Sequence, residues 1–194
     1  MRAFVAVALP EPALRLLAAA QEAFVGADPS WRDEKWVPDE NLHLTLRFLG
    51  DIPAEDAVAV TEALQEAVRG RAPFEVRLSS VRAVPSPGRA RLLWAAFADP
   101  AGSFPPLARA LGSATARWCA EPVPEPFRPH ATLVRARRPR RVAPEALAAA
   151  DAVLSSAGAG DGAVSVRHVM LVASTLTRCG PVYEHLAAVP LGPG

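Results

Sequence analysis

The chain has 194 residues, of which 51% are apolar and 21% charged, and its formal net charge is +1. That length and composition fit a soluble globular protein, either one domain or two small lobes sharing a core, and exclude global disorder. The near-zero charge excludes a strong overall field toward nucleic acid or anionic membrane, so any anion site has to be local.

Residues 2–9 join a basic residue to a short apolar run, which can imitate a signal peptide. The run is rich in β-formers and stops at Pro10, so it reads as a buried first strand. Residues 11–24 read as a helix with Leu14, Leu17, Ala18 and Gln21 along one face. Residues 35–38 form a short extended piece, and 42–49 alternate as a strand closed by Gly50-Asp51. A helix over 53–68 turns Ala57, Val60, Leu64 and Val68 inward. Residues 74–84 form a strand, 85–88 a turn and 91–97 the return strand. A second round follows, with a helix over 104–119 placing Leu107, Leu111, Ala114 and Trp118 on one side. Then come a proline-rich loop at 121–129, a strand at 130–134, a helix over 144–155, a turn at 158–162, and strands at 163–173 and 182–189.

Several connections are too short for crossovers, so the strands pair largely antiparallel and the fold class is α+β. The two rounds share the order helix, His-bearing strand, helix, strand, which predicts two related lobes facing one another. No stretch reaches the roughly 20 apolar residues that span a bilayer. Cys119 and Cys179 cannot make a disulfide framework and read as reduced, partly buried thiols of a cytosolic protein.

Two segments carry chemistry. Asn41-Leu42-His43-Leu44-Thr45-Leu46-Arg47-Phe48 and Arg128-Pro129-His130-Ala131-Thr132-Leu133-Val134-Arg135 share His-x-Thr-Leu. Side chains alternate across a strand, so His43 shares a face with Thr45 and His130 shares one with Thr132, while Leu44, Leu46, Ala131 and Leu133 face the core. One such pair on a strand is ordinarily a half-exposed polar face. Here two of only four histidines fall in the same tetrapeptide pattern, and converging lobes would bring two imidazoles and two hydroxyls to one cleft. By the same alternation Arg47 can face the cleft, with a solvated strand arginine as the equal alternative, and the parity of Phe48 argues for the core, with stacking on a base as its alternative. The run Arg135, Arg137, Arg138, Arg140 and Arg141 reads as a solvated loop, with an RNA-backbone rail as the functional alternative. His168 and His185 lie outside the pattern and receive no role.

With these motifs the sequence resembles the two-histidine phosphoesterase superfamily, and more narrowly the LigT-like RNA 2′,3′-cyclic phosphodiesterases, also called 2′-5′ RNA ligases. Arg2-Ala3-Phe4-Val5-Ala6 with Pro10, Trp36-Val37-Pro38, Glu40-Asn41-Leu42, Phe127-Arg128-Pro129 and the tail with Ser174, Leu176, Gly180, Tyr183 and Leu186 extend the likeness over nearly the whole chain. The resemblance implies one bilobal domain over 1–194: two pseudo-twofold lobes of mainly antiparallel sheet, helices outside and a central cleft. It implies opening of a ribose 2′,3′-cyclic phosphate to a 2′-phosphate, and a reverse, ATP-independent 2′-5′ ligation. It casts His43 as proton donor, His130 as proton acceptor, Thr45 and Thr132 as donors to the phosphoryl oxygens, and Arg135 as a phosphate contact. Arg135 has the wrong parity unless the strand ends or bulges after Val134. No metal or other cofactor is expected. The expected partner is RNA or a nucleotide with a cyclic phosphate end, and the expected setting is a cytoplasmic monomer off the membrane. Two other readings are a binding module without catalysis, and a cyclic phosphodiesterase for a small nucleotide such as ADP-ribose cyclic phosphate.

Overall fold

The structure is a computed structural model that describes residues 1–119, 121–158, 160–178 and 180–192. Its strands are β1 (Arg2–Ala8), β2 (Lys35–Trp36), β3 (His43–Asp51), β4 (Phe74–Val84), β5 (Ala90–Ala98), β6 (His130–Arg140), β7 (Ala163–Val166), β8 (His168–Thr177) and β9 (Gly180–Pro190). Its helices are α1 (Glu11–Ala27), α2 (Ala57–Val68), α3 (Phe104–Ala114) and α4 (Pro144–Ser156). Among the described residues the strands join one curled antiparallel sheet in the order β7-β4-β5-β6-β3-β1-β8-β9, with β2 added beside β6. The α+β class and the two-lobed plan hold. The lobes are the two halves of that one sheet, and they meet where β3 pairs with β6.

The helices cover one face. α1 packs on α4 and α2 packs on α3, so each half lends a helix to a pair completed by the other. The buried stripe of α1 is Ala13, Leu17, Ala20 and Phe24, rotated from the predicted face. Gln21 sits at its edge and donates to the carbonyls of Val37 and Leu133, tying the helix to β2 and β6. α2 begins at Ala57 after a short 3₁₀ turn and buries Val60, Leu64 and Val68 as expected. α3 stops at Ala114, short of the expected Cys119. The Thr115 hydroxyl bonds back to the Leu111 carbonyl, a local bond that competes with helix propagation.

Two strand assignments change. The basic run expected as a loop after Val134 belongs to β6, which continues to Arg140. The strand expected over 163–173 is two, β7 on β4 and β8 on β1, separated at Arg167. Cys119 is a free, half-buried thiol, and Cys179 lies outside the described residues. No helix among the described residues is long and apolar enough to cross a membrane.

Candidate active site

The face of the sheet away from the helices carries the histidines. β3 and β6 are joined by one ladder pair, Leu44 with Ala131, each the residue after its motif histidine. Antiparallel register carried one residue either way sets His43 across from Thr132 and His130 across from Thr45. Leu44 and Ala131 themselves are buried on the helix side. On the outer flanks small residues stand beside the polar ones: Ala8 and Ala6 on β1 pair with His43 and Thr45, and Ala96 on β5 pairs with His130. Alternation thus puts the four polar side chains on one floor, with methyl groups beside them that leave room for a ligand.

Both imidazoles are fixed in the same way. His43 Nδ1 lies 2.7 Å from the Asn41 carbonyl, and His130 Nδ1 lies 2.7 Å from the Arg128 carbonyl. A carbonyl only accepts, so each Nδ1 carries the proton and each Nε2 is left for the cleft. His43 stacks on Phe4 with ring centroids 4.8 Å apart and meets Tyr183 edge-on at 5.3 Å. His130 stacks on Trp94 at 3.8 Å. Burial holds both imidazoles below the ordinary histidine value, against the opposing pull of their carbonyl bonds, and the Arg135 charge lowers them further. Charges on His130 and His185 also disfavour the charged form of His43, which places the rings within electrostatic reach of one another.

Bulges decide what comes next on each strand. Opposite β1, Thr45 pairs with Ala6 and Arg47 with Val5, so Leu46 is an extra residue. Opposite β5, Thr132 pairs with Trp94 and Val134 with Leu93, so Leu133 is the extra residue. Each bulge reverses the parity downstream. Arg47 therefore turns to the helix side, where it is only 6% exposed and donates to the Cys119 carbonyl at 2.7 Å; the expectation that it faces the cleft is corrected. Phe48, expected in the core, emerges on the histidine face at 61% exposure, 6.2 Å from Phe4. The bulge also carries Arg135 out of the core to the face of His130, where its charge acts on His43, His130 and Tyr183.

A pocket of about 190 Å³ opens beside His43. Phe4, Met170, Val172 and Tyr183 give it an apolar wall, and Glu40, Asn41 and His185 give it a polar rim. Phe4, Tyr183 and His185 are the site features that reasoning from the sequence missed as lining residues. They come from the first and last strands, and only the tertiary pairing of β1, β8 and β9 collects them. The alternation of Phe4 and Ala6 against core-facing Ala3, Val5 and Val7 was the available signal. Among the described residues no three His, Cys, Asp or Glu side chains gather as a metal-binding cluster would.

Fold and site together define a class: α+β proteins in which two His-x-Thr strands meet at a common cleft. The family model described as LigT like Phosphoesterase matches residues 7–94, which include His43. An RNA 2′,3′-cyclic phosphodiesterase of Methanothermobacter thermautotrophicus is 31% identical over 96% of this chain and 96% of its own length. A crystal structure of a Thermus thermophilus protein superposes with a TM-score of 0.75 at 30% identity, covering 100% of this chain and 99% of that one. Escherichia coli LigT complexed with 3′-AMP gives a TM-score of 0.70 at 26% identity, over 98% of this chain and 97% of its own. The chain belongs to the LigT-like phosphoesterase family.

Proposed function

We propose that the protein opens 2′,3′-cyclic phosphate ends of RNA to 2′-phosphates, with His43 as acid and His130 as base. The observation that carries this reading is the matched presentation of two Nε2 atoms by two motif strands joined at the Leu44–Ala131 rung. Support comes also from relatives named RNA 2′,3′-cyclic phosphodiesterase and from the LigT complex with 3′-AMP.

The chemistry follows from these groups. The cyclic phosphate sits between the rings, its nonbridging oxygens accepting from the Thr45 and Thr132 hydroxyls and facing the Arg135 guanidinium, where charge builds as water adds. Neutral His130 takes the proton from the attacking water at Nε2. His43, charged, gives its Nε2 proton to the departing ribose 3′-oxygen, so the P–O3′ bond breaks and the phosphate stays on O2′. In the free protein burial disfavours an imidazolium, but an anion between the rings favours it, so substrate itself charges the acid. The nucleoside then lies on the His43 side, where the pocket with its Phe4 and Tyr183 walls is found. With an RNA 5′-hydroxyl attacking in place of water, the same transfers form a 2′-5′ bond and free the 3′-hydroxyl without ATP. The deciding experiment is incubation with an oligonucleotide ending in a 2′,3′-cyclic phosphate, in chelator, and identification of the hydroxyl that keeps the phosphate. A 2′-phosphate is expected. An unopened ring, a 3′-phosphate, or turnover only with added metal contradicts the mechanism.

A further inference from the structure

Lys35 is the only lysine of the chain, and it sits on a strand of two residues anchored at every neighbouring point. Glu34 accepts from the Arg137 backbone N–H at 2.7 Å and from the Arg140 guanidinium at 2.6 Å. The Trp36 indole donates to the Trp31 carbonyl at 2.9 Å, and Val37 N–H donates to the Leu133 carbonyl at 2.8 Å. Trp36 pairs with fully buried Val134 and packs edge-on against Phe24 of α1, so it faces the helices. Lys35 must then face the cleft, and its ladder partner is Arg135. Directly opposed residues share a face and come close at their Cβ atoms, and like charges in that position repel. Among the described residues neither cation has an ion pair or a side-chain hydrogen bond, so the repulsion is not relieved within the chain.

The position along β6 matters. Thr132 pairs with Trp94 and Arg135 with Leu92, two residues along β5, which puts the cation pair roughly 7 Å beyond the Thr132–His43 level. Arg135 is near enough to act on both imidazoles. Lys35 lies one strand spacing from Arg135 on the side away from β5, along the edge of β6 that β3 occupies nearer the histidines. An anion beyond the reacting phosphate, about one nucleotide step away, would meet both.

We propose that Lys35, with Arg135 bridging, binds the next internucleotide phosphate of an RNA chain, so that the cleft holds the end of a polynucleotide more tightly than a lone cyclic nucleotide. The inference rests on the proposed function and deepens it. Its test compares adenosine 2′,3′-cyclic phosphate with an oligoadenylate ending in the same group, for wild type, Lys35→Gln, Lys35→Arg and the distant control Arg15→Gln. Lys35→Gln is expected to lower kcat/KM for the oligonucleotide about five- to tenfold, through KM, while leaving the mononucleotide unchanged. Lys35→Arg restores the loss, and Arg15→Gln causes none. Anisotropy binding of the 2′-phosphate-ended oligoadenylate reads the subsite without turnover, and its salt slope should fall by about 0.7 in Lys35→Gln. A wild type that opens neither substrate refutes the catalytic reading alone. A salt slope untouched by Lys35→Gln, or equal losses on both substrates, overturns the subsite.

Discussion

β3 and β6 begin alike and end differently. Each opens with His-x-Thr, ties its histidine Nδ1 to the carbonyl two residues back, and bulges just after the threonine. After the bulge β3 presents an exposed phenylalanine, Phe48, and β6 presents a cation, Arg135. On the helix side the same step buries Arg47 in one strand and Val134 in the other. The flanks diverge too: His43 borders a pocket walled by Phe4 and Tyr183, whereas His130 lies flat on Trp94. A near-symmetric backbone thus holds two matched imidazoles in unequal surroundings, apolar on one side and cationic on the other. The proposed reaction, with one acid, one base and a nucleoside on one side only, calls for that inequality.

The comparison is broken most severely at the histidines. His43→Ala and His130→Ala are each expected to cost roughly 10²–10⁴ in turnover of the cyclic-phosphate oligonucleotide, and the double variant should lose little more than the worse single one. Turnover near wild type in either single variant would end the acid–base pairing. Next comes the aromatic support of the first strand. Phe4 is buried beneath His43, so Phe4→Ala should lower unfolding free energy by about 3–5 kcal/mol in denaturant titration. A smaller loss follows from Glu34→Gln, which weakens the clamp on β2 and should cost about 1–3 kcal/mol.

Acid exposes the cost of the buried imidazoles. Because both histidines sit below their ordinary value of 6.5, the unfolded chain binds more protons than the folded one beneath that pH. Stability present above it is lost as pH falls through the folded histidine values. Glu34 adds a later loss. Burial raises its pKa, but the Arg137 N–H and the Arg140 guanidinium outweigh that and hold it below 4.5. Thermal unfolding across pH 7 to 4 measures both steps. Arg135→Met should raise the titration of both histidines, seen in their ring proton shifts; no movement would mean that Arg135 points elsewhere. The smallest effect is reserved for Phe48→Ala, within about 0.5 kcal/mol of wild-type stability, since its ring is mostly in water.

Much of this was legible in the sequence. Period-two alternation located the motif strands, and the repeated His-x-Thr picked out the polar face before any coordinates. What failed was parity beyond the bulges. Alternation counts residues, and an extra residue at Leu46 or Leu133 leaves no mark in composition, so Arg47 and Phe48 exchanged faces against expectation. Arg135 shows the same limit from the other side, since its place depended on a bulge that the sequence could only pose as a condition. The basic run misled for another reason. Arg140 looks solvated as a letter, yet it bonds Glu34 and Ser30 and lies 5.0 Å from the Trp31 ring, contacts from over a hundred residues away. Charge density alone cannot distinguish such a clamp from a rail for RNA.

The rung between Leu44 and Ala131 also bears on how the molecule comes into being. Its two residues are separated by nearly half the chain, and β1 must wait for β8 to complete its other edge. Such non-local closures form slowly, because the entropy of closing a long loop is lost before the contact rewards it. A nascent chain emerging from the ribosome therefore carries one motif histidine without its counterpart until the second motif strand has been made. Neither half of the polypeptide by itself holds both imidazoles.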